Sequence, residues 1–279
     1  MGSKTVSEER GQLVVKSNKI IQNVVRYEGL GQGKMGLHAM SLQEQKLLMY
    51  IISKIKPKDT EFEQIEFGIQ EYCRVCGIEK SGKNYSDIKK TIRLLANRSM
   101  WIRTGDTEET LVRWIEKAIV DGKSGKVEMK LDKDMKPFLL LLNDKFTKYQ
   151  LIYALAMRSQ YAVRLYELAK SYAFRAFFEI KMEDLKALLG AENYTRNPDF
   201  VRRVLNLSVR EINEFTDIKI SYTIKSDEKK NKTVRFEIKE VTKTERVRKN
   251  SMLEQMLDSK QLSLFEALPE SGSESTRAN

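Results

Sequence analysis

Histidine is almost missing from this chain, and cysteine and proline are scarce: one His, two Cys and four Pro in 279 residues. The lone His38 cannot supply a His pair for a metal ion. Cys73 and Cys76 have CxxC spacing, but no second Cys or His pair completes four zinc ligands. On a short helix they stand i,i+3 and read as core. Two cysteines without a secretory leader exclude a disulfide framework and point to the reducing cytoplasm. The opening MGSKTVSEER is polar and mixed in charge, unlike a signal peptide. No apolar run approaches the roughly 20 residues of a membrane span, so no membrane partner is expected. Glycine clusters only at 29–36, GLGQGKMG, a flexible loop. A phosphate-binding loop needs GxxxxGK and then Ser or Thr, whereas Glu28 stands at the first Gly position and Met35 follows Lys34. The carboxylates Glu183 and Asp184 read as charges complementing a helix N-terminus. No catalytic residue, no metal site and no cofactor is expected.

Basic charge is what the chain has. Fifty Lys and Arg against 39 Asp and Glu give a net +11. Residues 251–279 carry −3, so the first 250 carry +14. A basic body with an acidic end is a candidate for nucleic acid.

Along the chain, 11–28 reads as a strand or arm. A helix begins at Leu42 under a Ser41–Glu44 capping box and stops at Lys56-Pro57. Residues 62–69 alternate like a strand, 70–77 form a brief helix, and 84–97 a longer amphipathic one. Three β segments follow at 100–103, 111–120 and 126–131, with 121–125 as a turn. Residues 137–142 are apolar and suit a packing position between units. Helices are predicted over 146–157 and 159–173, an extended piece at 177–180 and a helix at 182–189. After them comes 197–217, NPDFVRRVLNLSVREINEFTD, then strands at 218–224 and 233–241. The order helix, helix, helix, hairpin occurs twice. That is the order of a winged helix, and the fold class is α+β: two tandem winged-helix domains with a disordered C-terminal tail. The division is 11–145, 146–245 and a flexible acidic tail, 246–279.

The stretch 197–217 holds the candidate site. Pro198 starts a helix whose Phe200, Val201, Val204, Leu205, Ser208, Ile212 and Phe215 share one arc. Arg202, Arg203, Asn206, Arg210 and Asn213 share the other. Arg matches guanine and Asn matches adenine in a major groove. Such a face also suits an ordinary solvated surface; its recurrence favours DNA. In the first domain the corresponding helix turns Lys89, Lys90 and Arg93 outward, better suited to phosphates. Glu211 falls near the inward arc and should brace a basic or backbone group.

The segments SQYAVRLYELAKS (159–171), EDLKALLG (183–190) and DFVRRVLNLSVREINEFTDIKISY (199–222) closely resemble the initiator replication protein family of theta-type plasmids. SLQEQKLLMYIISKI and YSDIKKTIRLLANRSMWI look like its first domain, and the resemblance covers about 12–241. It implies twin winged helices that bind direct repeats (iterons) in double-stranded origin DNA and open an adjacent AT-rich segment. Implied partners are the host initiator, the replicative helicase and a second copy of the chain through the N-terminal domain, with repression of its own promoter. The alternative is a dedicated transcriptional repressor without replication activity. No His-hydrophobe-His motif of rolling-circle nicking enzymes is present. The final hairpin lacks the family's common Gly-Arg turn, and the tail is an addition to the family pattern. Within it Gln261, Leu262, Ser263, Leu264 and Phe265 resemble the motif that docks bacterial replication proteins on the DNA polymerase sliding clamp. The alternative there is a short helix over 251–268 packing back on the domain.

Overall fold

In the computed structural model the described residues are 4–23, 26–31, 34–37, 39–79, 81–103, 108–142, 145–228 and 231–259. The chain opens with α1 (Val6–Arg10), β1 (Leu13–Ser17) and α2 (Asn18–Ile21). Then β2 (Arg26–Gly31) pairs with β3 (Lys34–Leu37), with Gly29 opposite Gly36. The stretch expected as a flexible loop is therefore a hairpin, held by backbone bonds that glycine-rich sequence does not announce. Next come α3 (Leu42–Ser53), β4 (Ile65–Gly68), α4 (Ile69–Cys76) and α5 (Gly82–Ala96). The first unit continues through β5 (Ser99–Arg103), β6 (Glu109–Arg113), β7 (Ile115–Val120), β8 (Lys126–Leu131) and α6 (Lys136–Leu139). After β9 (Phe146–Gln150) and α7 (Leu151–Ala156) the second unit runs α8 (Gln160–Ser171), β10 (Phe177–Lys181) and α9 (Met182–Leu189). It ends with α10 (Asn197–Phe200), a π-helical turn at Val201–Leu205, α11 (Asn206–Phe215), β11 (Ile218–Ser226), β12 (Lys232–Glu240) and α12 (Lys243–Ser259).

Two winged helices result. The first is α3, β4, α4 and α5 with a sheet in the order β4–β8–β7; the second is α8, β10, α9 and α10–α11 with the order β10–β12–β11. The first also carries an inserted hairpin, β5–β6, which joins β2 and β3 in a four-stranded sheet. The capping box at Ser41 forms as expected, and Glu44 also receives the buried Arg98 guanidinium at 2.8 Å, tying the start of α3 to the end of α5.

Three expected elements differ. The strand over 111–120 is broken at Trp114, which is buried next to buried Ile115. Two consecutive inward side chains cannot lie on one face of a strand, so β6 and β7 go to different sheets. The helix over 146–157 begins as a strand: Thr147 and Tyr149 point inward, and β9 pairs with β1 from Leu13↔Gln150 to Ser17↔Phe146. A division at 145/146 thus falls just before a strand that is bonded to residues 13–17. Finally, the flexible tail expected from 246 is helical as far as Ser259, with Leu253 and Leu257 buried.

The strand pair β1–β9 is where the units meet. Lys16 on β1 reaches Glu167 on α8 at 2.6 Å, and Glu167 is fully buried. Tyr149 of β9 donates to the same carboxylate at 2.7 Å, and Arg164 lies 3.5 Å from its other oxygen. Burial would raise the Glu167 value, but Lys16 and Arg164 outweigh it and hold the carboxyl below its ordinary range. Burial nevertheless lowers Lys16, despite its partner. The pair therefore fixes geometry more than it adds stability. The core is continuous through both units, from Leu47 and Ile51 on α3 to Leu165 and Ile212.

Glu167→Ala leaves a buried ammonium alone and should cost about 3–5 kcal/mol in urea unfolding, whereas Lys16→Met with Glu167→Leu should recover most of it. Because the folded Glu167 value is depressed, its contribution is present above the ordinary carboxylate value of about 4.3 and is lost as pH falls through the folded value.

Candidate nucleic-acid interface

In the second unit the helix in the recognition position of the winged helix is α10–α11. Pro198 sits at its first turn, and Phe200, Val204, Leu205, Ser208, Ile212 and Phe215 are buried as the pattern predicts. Side chains four apart drift by about 40° per step on an ideal helix. The π turn, in which Asn206 N–H bonds Val201 O, takes part of that drift back. The inward row stays inward, and Arg202 and Arg203 sit on the widened turn itself. Single π turns inside helices occur often at functional positions.

Arg202, Arg203, Asn206 and Arg210 are exposed. Arg202 lies 3.1 Å from Asp199, one turn back, and Arg196 lies 3.8 Å from the same carboxylate. Such surface pairs are worth about 0–1 kcal/mol, so a phosphate or guanine edge can take over either guanidinium. Tyr222 on β11 donates to Asn206 Oδ1 at 2.6 Å. This tie holds the wing against the helix and occupies one lone pair of the amide carbonyl, leaving the NH2 group for an acceptor on a base.

Asn213 differs from expectation. Its Nδ2 donates to Ile220 O at 2.9 Å and its Oδ1 accepts from Ile220 N at 2.7 Å. Both ends of the amide are spent pinning α11 to β11, which takes it off the reading face. Glu211 does what its inward position suggested: Oε2 accepts from Arg158 N at 2.9 Å and Ser159 N at 3.1 Å, bracing the start of α8.

In the first unit α5 starts under Ser81, whose hydroxyl accepts from Asn84 N at 3.1 Å. Ile88, Ile92 and Leu95 are buried, Lys90 and Arg93 are exposed, and Lys89 is half-exposed with its ammonium 5.8 Å from the Tyr85 ring centre. The wing turn 121–125 is compact. Asp121 accepts from Ser124 Oγ at 2.5 Å and Lys123 N at 2.9 Å, and these bonds lower its value. Gly125 has φ +71°, and a Cβ there would lie 3.2 Å from the Tyr85 ring. Tyr85 also donates to Asp121 O at 3.3 Å. Each wing is thus tied to its helix by one tyrosine, a contact that residue spacing does not reveal because its partners are 36 and 16 positions apart.

Among the described residues no group of three or more His, Cys, Asp and Glu could hold a metal, and no helix is long and apolar enough to cross a membrane. Cys73 and Cys76 are buried on α4, and burial pushes the Cys76 thiol up to about 12. His38 and the pentad 261–265 lie outside the described residues.

Two family models match this chain: Initiator Replication protein, WH1, over residues 13–170, and Initiator Rep protein, WH2, over 181–239. The Pi initiator protein, solved in complex with iteron DNA, is similar at a TM-score of 0.64 and 20% identity, covering 84% of this chain and 99% of that one. Domains 2 and 3 of RctB are similar at 0.47 and 13% identity, over 77% of this chain and 91% of that one.

Asn213→Ala should cost about 1–3 kcal/mol of unfolding free energy, since it strands the Ile220 backbone groups. Arg210→Ala, on the exposed face, should change stability by no more than about 0.5 kcal/mol. Equal effects in urea titration would contradict the division between brace and surface.

Proposed function

The chain belongs to the initiator replication protein family, and on that premise we propose that it is a plasmid replication initiator that binds iterons through both winged helices. The observation that carries this reading is the repeated unit: two helices in the reading position, each with an exposed basic face and each tied to its wing by a tyrosine. In the second domain Arg202, Arg203, Asn206 and Arg210 read the major groove. Lys89, Lys90 and Arg93 hold phosphates in the first. Binding and bending supply the energy to open an adjacent AT-rich segment, because DNA deformation is repaid by added contacts. Recruitment of host initiator and helicase and repression of the gene's own promoter belong to the same proposal, with action in the cytoplasm.

Self-association through the first domain has a surface to support it. In the sheet order β3–β2–β5–β6, strand β6 is an edge, and Trp101 and Leu111, opposite each other on β5 and β6, are 38% and 44% exposed. An exposed apolar pair at the end strand of the sheet, among the described residues, favours pairing with a second copy. The pentad Gln261–Phe265 is proposed to dock on the sliding clamp, with Leu262, Leu264 and Phe265 entering an apolar groove.

Arg202→Ala or Arg210→Ala should cost about 1–3 kcal/mol on repeat DNA and relax sequence preference. Lys89→Ala should weaken binding evenly across sequences and flatten its salt dependence. Equal losses on repeat and random duplexes for the arginine variants would refute base reading. Leu264→Ala with Phe265→Ala should abolish clamp binding and leave DNA affinity unchanged; retained clamp binding would reject the motif. Maintenance of a plasmid carrying only this gene and its upstream repeats separates an initiator from a dedicated repressor.

A further inference from the structure

Helices α1 and α12 lie outside both matched stretches, yet they pack on each other and on both winged helices. We infer that together they form a terminal clasp that fixes the separation and twist of the two reading helices. The clasp thereby sets which spacing between two DNA segments the protein accepts. This inference rests on the two-domain reading of DNA proposed above.

One end of the clasp holds the second unit. Lys249 donates to Asn213 O at 2.7 Å and Thr216 O at 2.9 Å, the closing carbonyls of the reading helix. A cation is favoured there by the helix dipole. Beside it, Asn250 Nδ2 donates to Gln150 Oε1 at 2.8 Å, on the strand that joins the units.

The other end holds the first unit. Arg10, only 1% exposed, donates from Nε to Val75 O at 2.8 Å and from Nη2 to Arg74 O at 3.0 Å, the last carbonyls of α4. Its Nη1 reaches Glu254 at 2.5 Å and Asp258 at 2.8 Å on α12, and Ser7 donates to Glu254 at 3.1 Å. Gly77, φ +66°, closes α4, and a Cβ there would collide with the Leu257 carbonyl. The next helix along the chain from α4 is α5, the reading helix of the first unit.

From Lys249 to Asp258 the helix rises by about 14 Å. It therefore runs as a stiff bar from the C-terminus of one reading helix to the helix that precedes the other. Inserting one base pair displaces the two DNA segments by about 3.4 Å and rotates them by about 35°. A jointed pair of domains absorbs that change by swivelling; a braced pair does not. Lys249, Arg10, Glu254 and Asp258 are thus positioning residues for spacing specificity, none of them touching a base.

The test uses the full chain and a duplex that the wild-type protein selects from a random-sequence library, with the two protected segments mapped by footprinting. One base pair is then added or removed between the segments. Binding is compared for wild type, for Glu254→Gln with Asp258→Asn, and for Lys249→Met, with thermal melting of each. The wild type should lose at least about tenfold per single-pair change, by analogy with the cost of a mismatched pair. Both variants should lose less than about threefold while holding the selected duplex within a few-fold of wild type. A spacing penalty that stays at the wild-type level in both variants overturns the inference, as does a wild type indifferent to spacing. If the double variant unfolds, Lys249→Met at the opposite end decides alone. A wild type that selects no duplex, or protects only one segment, overturns the underlying two-domain reading instead.

Discussion

The ion pair between Lys16 and Glu167 is the point on which the arrangement of the molecule turns. Neither charge can leave its partner, since a lone buried ion costs several kcal/mol. Tyr149 and Arg164 saturate the same carboxylate, so a sliding motion of β1 and β9 against α8 would break several charge-assisted bonds together. An apolar junction of equal area would tolerate many registers. This one tolerates few, which gives the two winged helices a common frame. That frame, together with the terminal helices α1 and α12, gives α11 and α5 a defined relation.

Within each unit a second constraint shapes the surface presented. In each unit a tyrosine bridges the wing and the helix before it, and in the second Asn213 adds two bonds to Ile220 of β11. In the second unit the π turn adds a local adjustment: it keeps the buried row of Phe200, Val204, Ser208 and Ile212 continuous and carries Arg202 and Arg203 outward on a wider loop of backbone. The same helix is braced in its C-terminal half by two half-buried groups, Asn213 through Ile220 and Glu211 through the start of α8. Such rigid support is what the proposed base reading by a few guanidiniums requires.

Much of this was legible in the sequence wherever the signal is local. The inward arc of residues 200–215, the Ser41–Glu44 capping box and the inward pull on Glu211 all follow from helical spacing and the cost of burying charge. What was not legible depends on partners far along the chain. The FTKYQ segment alternates in burial and carries the strand-favouring Phe146, Thr147 and Tyr149, but its five residues border an apolar helix and only the pairing with β1 marks where the strand ends. Asn213 looks like a neighbour of Arg210 on a helical wheel, and only the position of Ile220 shows its amide to be occupied. Residues 246–259 have a weakly amphipathic, highly charged composition that fits a solvated tail; Leu253 and Leu257 become core residues only because α4 and α7 present a surface to receive them.

The course of α12 also separates the order of the chain from its order in space. Although it follows the second winged helix in sequence, its last turn is fastened to the first, Asp258 pairing with Arg10, which in turn donates to the closing carbonyls of α4, and Leu257 lying against Gly77. Residue 261 follows Ser259 by two positions, a contour of about 7 Å at most. A partner held by the closing segment, as proposed above, would therefore be tethered beside the first unit.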